Sequence, residues 1–462
     1  MAEHFRDFCD PQIDPFQDVL GQGSGPVDRT LARVGSGVLE MLGAERLPGG
    51  EGQQWSFPFG SDKQAVVGLL HPEVVIPAWT RHHDLGIFYT LTGDDKRGPL
   101  WLPNTRLTTL VDGVETGHPE ADSMVSVVMA LSERAQMLRR VGRAAARSLS
   151  PLRDARARAK WQQDPRRTKE EIWAHYDIDP AIYTGELGFL DTAYDQYSSG
   201  LLAPGRAFES LEQLQEAKVE ELIRKLQLET ASTVLEIGGG WGGLAVAIAK
   251  AAPHIHITSL TVSDEQLKIA QKRAADAGVS ERVQFLGKDY REFHPGQGFD
   301  RVVSVEMIEA VDWRDLGTYF DKLAAFVNPK TGLVVLQAIT VRKEQEASQH
   351  HRPSFANTAI FPGGCLTSVE TITGHMASRG FRLHERTEMG DSYALTLREW
   401  LRRFNDNLPA LREKWKQDGQ SPQQIGRFER GFNFYLAACQ AGFRPETGPN
   451  IGVQQLVFDR AA

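Results

Sequence analysis

Cysteine is scarce here: Cys9, Cys365 and Cys439 are the only three in 462 residues, and they lie far apart. That spacing fits neither a disulfide framework nor a metal knuckle, so it points to a reducing compartment and predicts no metal. Long apolar runs are missing as well; none approaches the roughly 20 residues that span a bilayer. The opening "MAEHFRDFCDPQIDPF" is acidic where a secretory leader is basic and then apolar. The expectation is a cytoplasmic protein that meets a membrane, if at all, peripherally from its inner face. Basic charge is also in deficit, with a formal net charge of −8. A general nucleic-acid binder carries the opposite excess to neutralise phosphates, so nucleic acid is not an expected partner. Internal repeats and low-complexity tracts are absent.

What is present suffices for two domains, since 462 residues with 41% hydrophobic content can bury two cores. The first 60 residues are rich in glycine and proline ("GQGSGPVDRT", "LPGGEGQQW") and read as loops and short helices. From Trp55, "WSFPFG" and "QAVVGLLHPEVVIPAW" read as strands leading into a helix, and "SMVSVVMALSERAQMLRRVGRAAARSL" has helical spacing. This predicts a smaller N-terminal α+β domain over 1–133, an accessory domain with a candidate lipid-binding role. Positions 134–169 hold twelve Lys or Arg and two acidic residues, reversing the sign of the chain. Residues 134–172 therefore read as a basic linker, either a solvated tether or a patch for anionic headgroups, with Trp161 favouring the patch.

From Trp173 to the end, 173–462, strands alternate with helices, the pattern of a parallel sheet covered on both faces. The predicted strands are "TVLEIGG", "HIHITSLTV", "VQFLGKD", "FDRVVSVEM" and "GLVVLQAIT". Gly238, Gly240 and Gly242 fall where the first strand turns into its helix, so a ligand can approach the backbone there. By itself this turn, with Glu236 just before it, is open to NAD, flavin or S-adenosylmethionine, because "GGGWGG" also satisfies GxGxxG. The second strand ends at Thr261 without the acid that binds a ribose in NAD proteins, and Asp264 already belongs to the next helix. Asp289 ends the third strand, where a carboxylate can accept from an adenine amino group.

The blocks "VLEIGGGWGGLA", "SLTVSDEQLKIA", "VVSVEMIEAV", "LQAIT", "IFPGGCLTS", "YALTLREW" and "FYLAACQAGFR" occur in an order and spacing that resemble the cyclopropane-fatty-acyl-phospholipid synthases and related fatty-acid C-methyltransferases. The resemblance implies an α/β, Rossmann-like S-adenosylmethionine-dependent methyltransferase fold. It further implies methyl transfer to the cis double bond of a phospholipid acyl chain, giving a cyclopropane or methyl-branched product, with bicarbonate in the site as base. By this resemblance Glu309, Tyr393 and Ile339 hold the bicarbonate, Gln337 stands where histidine is common, and Ser199 replaces a cysteine. Tyr197 and Ser198 then contact the cofactor, whose methionine part lies over Gly238 to Gly242, its ribose near Thr261 and Gln266, and its adenine at Asp289. Glycine at 239, where cysteine is frequent, is expected to cost nothing. Cys439 matches a cysteine once proposed as catalytic, though a lone cysteine on an apolar helix is more often a small buried hydrophobe. Trp241 and Tyr290 read as core aromatics, and the pair His350 and His351 as solvated surface. The implied partners are membrane phospholipid acyl chains, and a homodimer is also an expectation. A small-amine N-methyltransferase and an inactive lipid-binding homologue are the alternatives. The first would not need the retained Glu309 and Tyr393, and the second is suggested by Ser199 and the unusual glycine turn.

Overall fold

Val234 and Leu235 are neighbours in one strand, yet they belong to different hydrophobic cores. A β-strand sends successive side chains to opposite faces, so a strand apolar at both must be covered on both. In the computed structural model the described residues are 180–349, 364–443 and 451–461, with strands at 45–47, 53–59, 63–69 and 100–101. The basic linker, Cys9, Trp161, His350 and His351 lie outside them. The chain divides into two compact units: 1–162 with 354–360 and 400–449, and 163–353 with 361–399 and 450–462. In the first unit β1 (Glu45–Leu47), β2 (Gln53–Phe59), β3 (Lys63–Leu69) and β4 (Leu100–Trp101) form an antiparallel sheet in that order.

The second unit carries the sheet that organises the site. Helix α1 (Leu211–Leu226) starts at Ser210, whose hydroxyl accepts from the Gln213 N–H at 3.2 Å. It leads into β5 (Thr233–Ile237), α2 (Gly243–Ala251), β6 (His256–Thr261), α3 (Asp264–Asp276), β7 (Val283–Gly287), β8 (Arg301–Val305), α4 (Leu316–Phe326) and β9 (Leu333–Val341). Short α5 (Lys343–Gln349) and α6 (Val369–Ala377) precede β10 (Phe381–Glu388), and β11 (Ile451–Arg460) closes the fold. The seven strands run β10-β11-β9-β8-β5-β6-β7. The five from β7 to β9 are parallel, as the sequence pattern requires, and β11 and β10 are antiparallel additions. Residues of α1, α2 and α3 pack with Val234, Ile257 and Val303 on one face, while α4 and α6 pack with Leu235, Leu260 and Val302 on the other. This is a Rossmann-like α/β architecture, a mixed sheet covered by helices on both faces.

Chain order reverses beside β5, which pairs with β6 on one side and β8 on the other. Open α/β sheets bind ligands outside the carboxyl ends of their strands at such a switch. Helix α7 (Gly390–Gln417) begins in this unit, and its residues from Trp400 onward belong to the first unit together with the whole of α8 (Pro422–Gly442). Within the first unit Phe404, Trp415, Phe428, Phe432 and Tyr435 form a ring cluster. Ser421 caps α8 through a capping box with Gln424.

Candidate active site

The turn after β5 uses glycine where other residues would be strained: φ is +85° at Gly238, +52° at Gly240 and +82° at Gly242. The N–H groups of Gly238 and Gly239 both donate to the Leu260 carbonyl at 2.9 Å, tying the turn to β6. A Cβ at position 240 would meet nothing within 4 Å, and α2 begins without a side-chain cap. The result is an open cradle at a helix N-terminus. At position 239, in contrast, a Cβ would overlap Ser259 Oγ and lie 2.9 Å from Glu236 Oε2. Glycine there is a packing requirement set by Ser259, a constraint the sequence did not display.

The polar residues around this cradle are already oriented. Ser259 Oγ donates to Glu236 Oε2 at 2.5 Å; burial pushes that carboxyl up to about 7, with the Ser259 bond and Lys218 opposing. Thr261 Oγ1 donates to Gln266 Oε1 at 2.9 Å, both residues buried. Asp289 accepts from Arg291 in two-pronged fashion, at 2.7 Å from Nη2 and 3.0 Å from Nε. Its carboxylate is therefore shared with an arginine, where the sequence had suggested an acceptor for adenine alone. Trp241 is buried with its ring 5.5 Å from that of Tyr183, and Tyr290 meets Tyr319 edge-on, so both aromatics fill core.

Opposite the cradle, Asp191 folds the 191–200 loop by accepting from the N–H groups of Tyr194 (2.6 Å) and Gln196 (2.8 Å). Tyr197 packs edge-on against Tyr183 and Phe189. Ser198 Oγ accepts from Lys218 Nζ at 2.9 Å, and the same ammonium donates to Gln196 Oε1 at 2.8 Å. Lys218 is fully buried. Burial pushes its pKa down to about 8 against the opposing charges of Glu306, Asp191 and Glu236.

At the end of β8 the chain turns at Glu306, a non-glycine residue with φ +47°. Its carboxylate gathers three of the anticipated site residues: Oε1 accepts from the Ser199 N–H at 2.9 Å and from Gln337 Nε2 at 2.8 Å, and the Tyr393 hydroxyl hydrogen-bonds the same group. Burial raises its pKa, and these donors and Lys218 oppose the rise. Gln337 also donates to the Ser199 carbonyl at 3.2 Å and accepts from Gln455 Nε2 on β11 at 3.0 Å. The Ser199 hydroxyl turns back to the Gly200 carbonyl at 2.8 Å, so the backbone N–H is what this residue offers the site. Ser392 and Thr396, either side of Tyr393 on α7, accept from the N–H groups of Leu202 and Gly200 at 3.0 Å and fix this loop against the helix.

Glu309 and Ile339 form a separate pair, the Ile339 N–H donating to Glu309 Oε1 at 2.5 Å. Glu309 Oε2 is buried without a partner. Burial, and then the neighbouring Glu306 charge, push this carboxyl up to about 8. The two glutamates thus have divided characters: Glu306 is surrounded by donors and a cation, and Glu309 is held as the acid. Cys439 lies on α8 in the other compact unit, its thiol pushed up to about 12 by burial, which leaves it protonated. No group of three or more metal-ligating side chains occurs among the described residues. Sequence reasoning missed Glu306, Lys218, Ser259 and Gln455; the first was visible only as the earlier glutamate of "VEMIEAV".

Residues 163–455 match the family profile described as mycolic acid cyclopropane synthetase. The chain is 36% identical over 293 residues to tuberculostearic acid methyltransferase UfaA1 of Mycobacterium tuberculosis, covering 62% of this chain and 65% of that protein, slightly under two thirds of its length. It is 32% identical over 297 residues to cyclopropane-fatty-acyl-phospholipid synthase of Escherichia coli K12, covering 63% of this chain and 69% of that one. Among solved structures, the cyclopropane synthase MmaA2 from Mycobacterium tuberculosis superposes with a TM-score of 0.52 at 27% identity, over 63% of this chain and 97% of its own.

Proposed function

Because the chain belongs to the mycolic acid cyclopropane synthetase family, we propose that it transfers a methyl group from S-adenosylmethionine to the cis double bond of an unsaturated phospholipid acyl chain, acting peripherally at the inner face of a membrane. The observation that carries this reading is the buried polar cluster of Ser199, Glu306, Gln337 and Tyr393 beside an open glycine cradle. S-adenosylmethionine, when bound, supplies an electrophilic methyl on a sulfonium. The cradle residues fit it: the turn from Gly238 to Gly242 would seat the methionine part, Thr261 and Gln266 the ribose, and Asp289 with Arg291 the adenine. Glu236, held by Ser259, sets the shape of that turn. Tyr197 and its aromatic neighbours exclude water, and Ser198, held by Lys218, positions the loop.

An alkene is a weak nucleophile, so alignment in a dry site is what the protein must provide. After transfer one proton must leave, and the product depends on which. Loss from the new methyl closes a cyclopropane, and loss from a chain carbon leaves an unsaturated branch; a saturated methyl branch would need a separate hydride donor. The bicarbonate implied by the sequence resemblance does not fit these residues, because Ser199, Gln337 and Tyr393 already hold Glu306. No helix among the described residues is long and apolar enough to cross a membrane. The test is incubation of the purified chain with S-adenosylmethionine and vesicles of a dioleoyl phospholipid, followed by mass spectrometry of the acyl chains. One added carbon per modified chain, matched by S-adenosylhomocysteine, is expected; unmodified lipid would remove the reading.

A further inference from the structure

Of the five positions expected to bracket a diffusible anion, four are engaged by the chain's own carboxylates, and the fifth, Glu309, is one of those carboxylates. The Ser199 N–H, the Gln337 amide and the Tyr393 hydroxyl converge on Glu306, and the Ile339 N–H is taken by Glu309. A carboxylate has the planar O–C–O outline and negative charge of bicarbonate, so donors arranged for one serve the other. From this convergence we infer that Glu306 is the resident base of the reaction, doing with a tethered carboxylate what a bound bicarbonate would otherwise do. The inference rests on the methyl-transfer reading above.

Two further observations support it. Glu306 sits at φ +47°, a region that strains a non-glycine residue and persists only where surrounding contacts over-determine it. Here those contacts are known: the Glu306 N–H donates to the Gln337 carbonyl at 2.8 Å while its side chain returns to the Gln337 amide. The backbone is bent to bring this carboxylate back over the donors. The second observation is charge. With the Glu306 carboxylate already in place, and the buried Lys218 shared among Glu306, Asp191 and Glu236, an added bicarbonate would bring a further anion into a low-dielectric site.

The step balances without a co-reactant beyond those named. The alkene π pair forms the new carbon–carbon bond as the sulfur–methyl bond breaks with its pair remaining on sulfur, leaving positive charge on the second alkene carbon. A C–H bond of the transferred methyl then breaks, its electron pair closes the ring, and the proton goes to the Glu306 carboxylate, which later releases it to water. Nothing is oxidised or reduced overall.

Wild type, Glu306→Gln and Glu306→Gly separate the possibilities. Glycine suits the backbone at this position and frees the three donors, and glutamine keeps the shape without a proton acceptor of comparable basicity. Methyl transfer is measured in carbonate-depleted buffer with and without added bicarbonate, and bicarbonate binding is titrated by calorimetry on the same proteins. The wild-type rate should ignore bicarbonate and the protein should bind none. Glu306→Gln should lose about 10²-fold or more, without rescue, as for removal of a general base. Glu306→Gly should bind bicarbonate and recover rate with it. A wild type that binds bicarbonate and accelerates with it, or a fully active Glu306→Gln, would overturn the inference. If no protein, wild type included, methylates lipid, the functional reading fails and the titration still decides: binding by Glu306→Gly alone supports a carboxylate in the anion's place, and binding by wild type or by neither protein refutes it.

Discussion

Gln455 on β11 holds Gln337 on β9 in one orientation: its Nε2 donates to Gln337 Oε1 at 3.0 Å, which leaves the Gln337 amide nitrogen to face Glu306 at 2.8 Å. A strand added antiparallel to the sheet therefore determines which end of an amide the site receives. Gln455→Leu should let the Gln337 amide turn its oxygen toward Glu306, lowering turnover about tenfold with KM unchanged. The loss of one buried hydrogen bond should cost about 1 kcal/mol of stability. Steady-state kinetics with a parallel urea titration would check both, and unaltered turnover would show that the amide is oriented by other means.

Gly239→Ala tests the crowding around the cradle. The new Cβ would overlap Ser259 Oγ, so overpacking of about 1–3 kcal/mol is expected, together with weakened S-adenosylmethionine binding. Adding Ser259→Gly makes room, so the double variant should be more stable than the sum of the singles by about 1 kcal/mol. Additive effects in thermal or urea unfolding would show that the two positions do not compete for the same space.

Much of this architecture was legible in the sequence, for identifiable reasons. Strands β5 to β9 are short and largely apolar, bounded by glycine or polar turns, and that signal survives without tertiary context. Strand β10, "FRLHERTE", is mostly exposed, and β11 buries Gln454 and Gln455 at its centre; neither has the pattern of a core strand. Within the site, Glu309 could be matched by motif, whereas Glu306 three residues earlier could not. Its importance comes from a left-handed backbone that brings the side chain back over donors from the 191–200 loop, β9 and α7. Lys218 was hidden similarly, since "EAKVEELIRKL" reads as a solvated helix until the loop folds over it.

Lys218→Met removes a buried cation on α1 that faces Glu306, Asp191 and Glu236. Its loss leaves the Gln196 and Ser198 oxygens without their donor, at about 1–3 kcal/mol for each unsatisfied group, and removes a charge that balances the nearby carboxylates, so a fall in urea midpoint is expected. The same cation favours ionised Glu306. Without it the carboxylate holds its proton more tightly, and the acid limb of the pH–rate profile should move to higher pH. An unmoved limb would show that Lys218 acts only on the fold.

Glu309 makes stability depend on pH with a definite sign. Its folded-state pKa is raised from 4.5 to about 8, so the folded chain keeps a proton that the unfolded carboxyl releases. That contribution is complete below 4.5 and is lost as pH rises through about 8, with a slope of at most about 1.4 kcal/mol per pH unit. Glu236, raised to about 7, adds a similar loss that ends earlier. Glu309→Gln keeps the acceptor for the Ile339 N–H and abolishes the titration, so its stability should be flatter than wild type between these values. Superimposable urea-unfolding curves across the pH series would place the proton elsewhere.

The remaining prediction concerns arrival at the lipid. A chain of net charge −8 is repelled by anionic headgroups unless it presents a basic face, and the run at 134–169, outside the described residues, is the strongest concentration of such charge. Each basic residue near an anionic surface contributes about 1 kcal/mol, so four well-placed ones would hold the protein long enough to capture an acyl chain. Salt should release it, because the attraction is screened beyond a Debye length of about 10 Å at about 0.1 M. Replacing Arg153, Arg156, Arg158 and Lys160 by Gln should abolish co-sedimentation with anionic vesicles at low salt while leaving S-adenosylmethionine binding unchanged. Equal sedimentation of wild type and variant across the salt series would reduce the run to a solvated tether and require another route to the membrane.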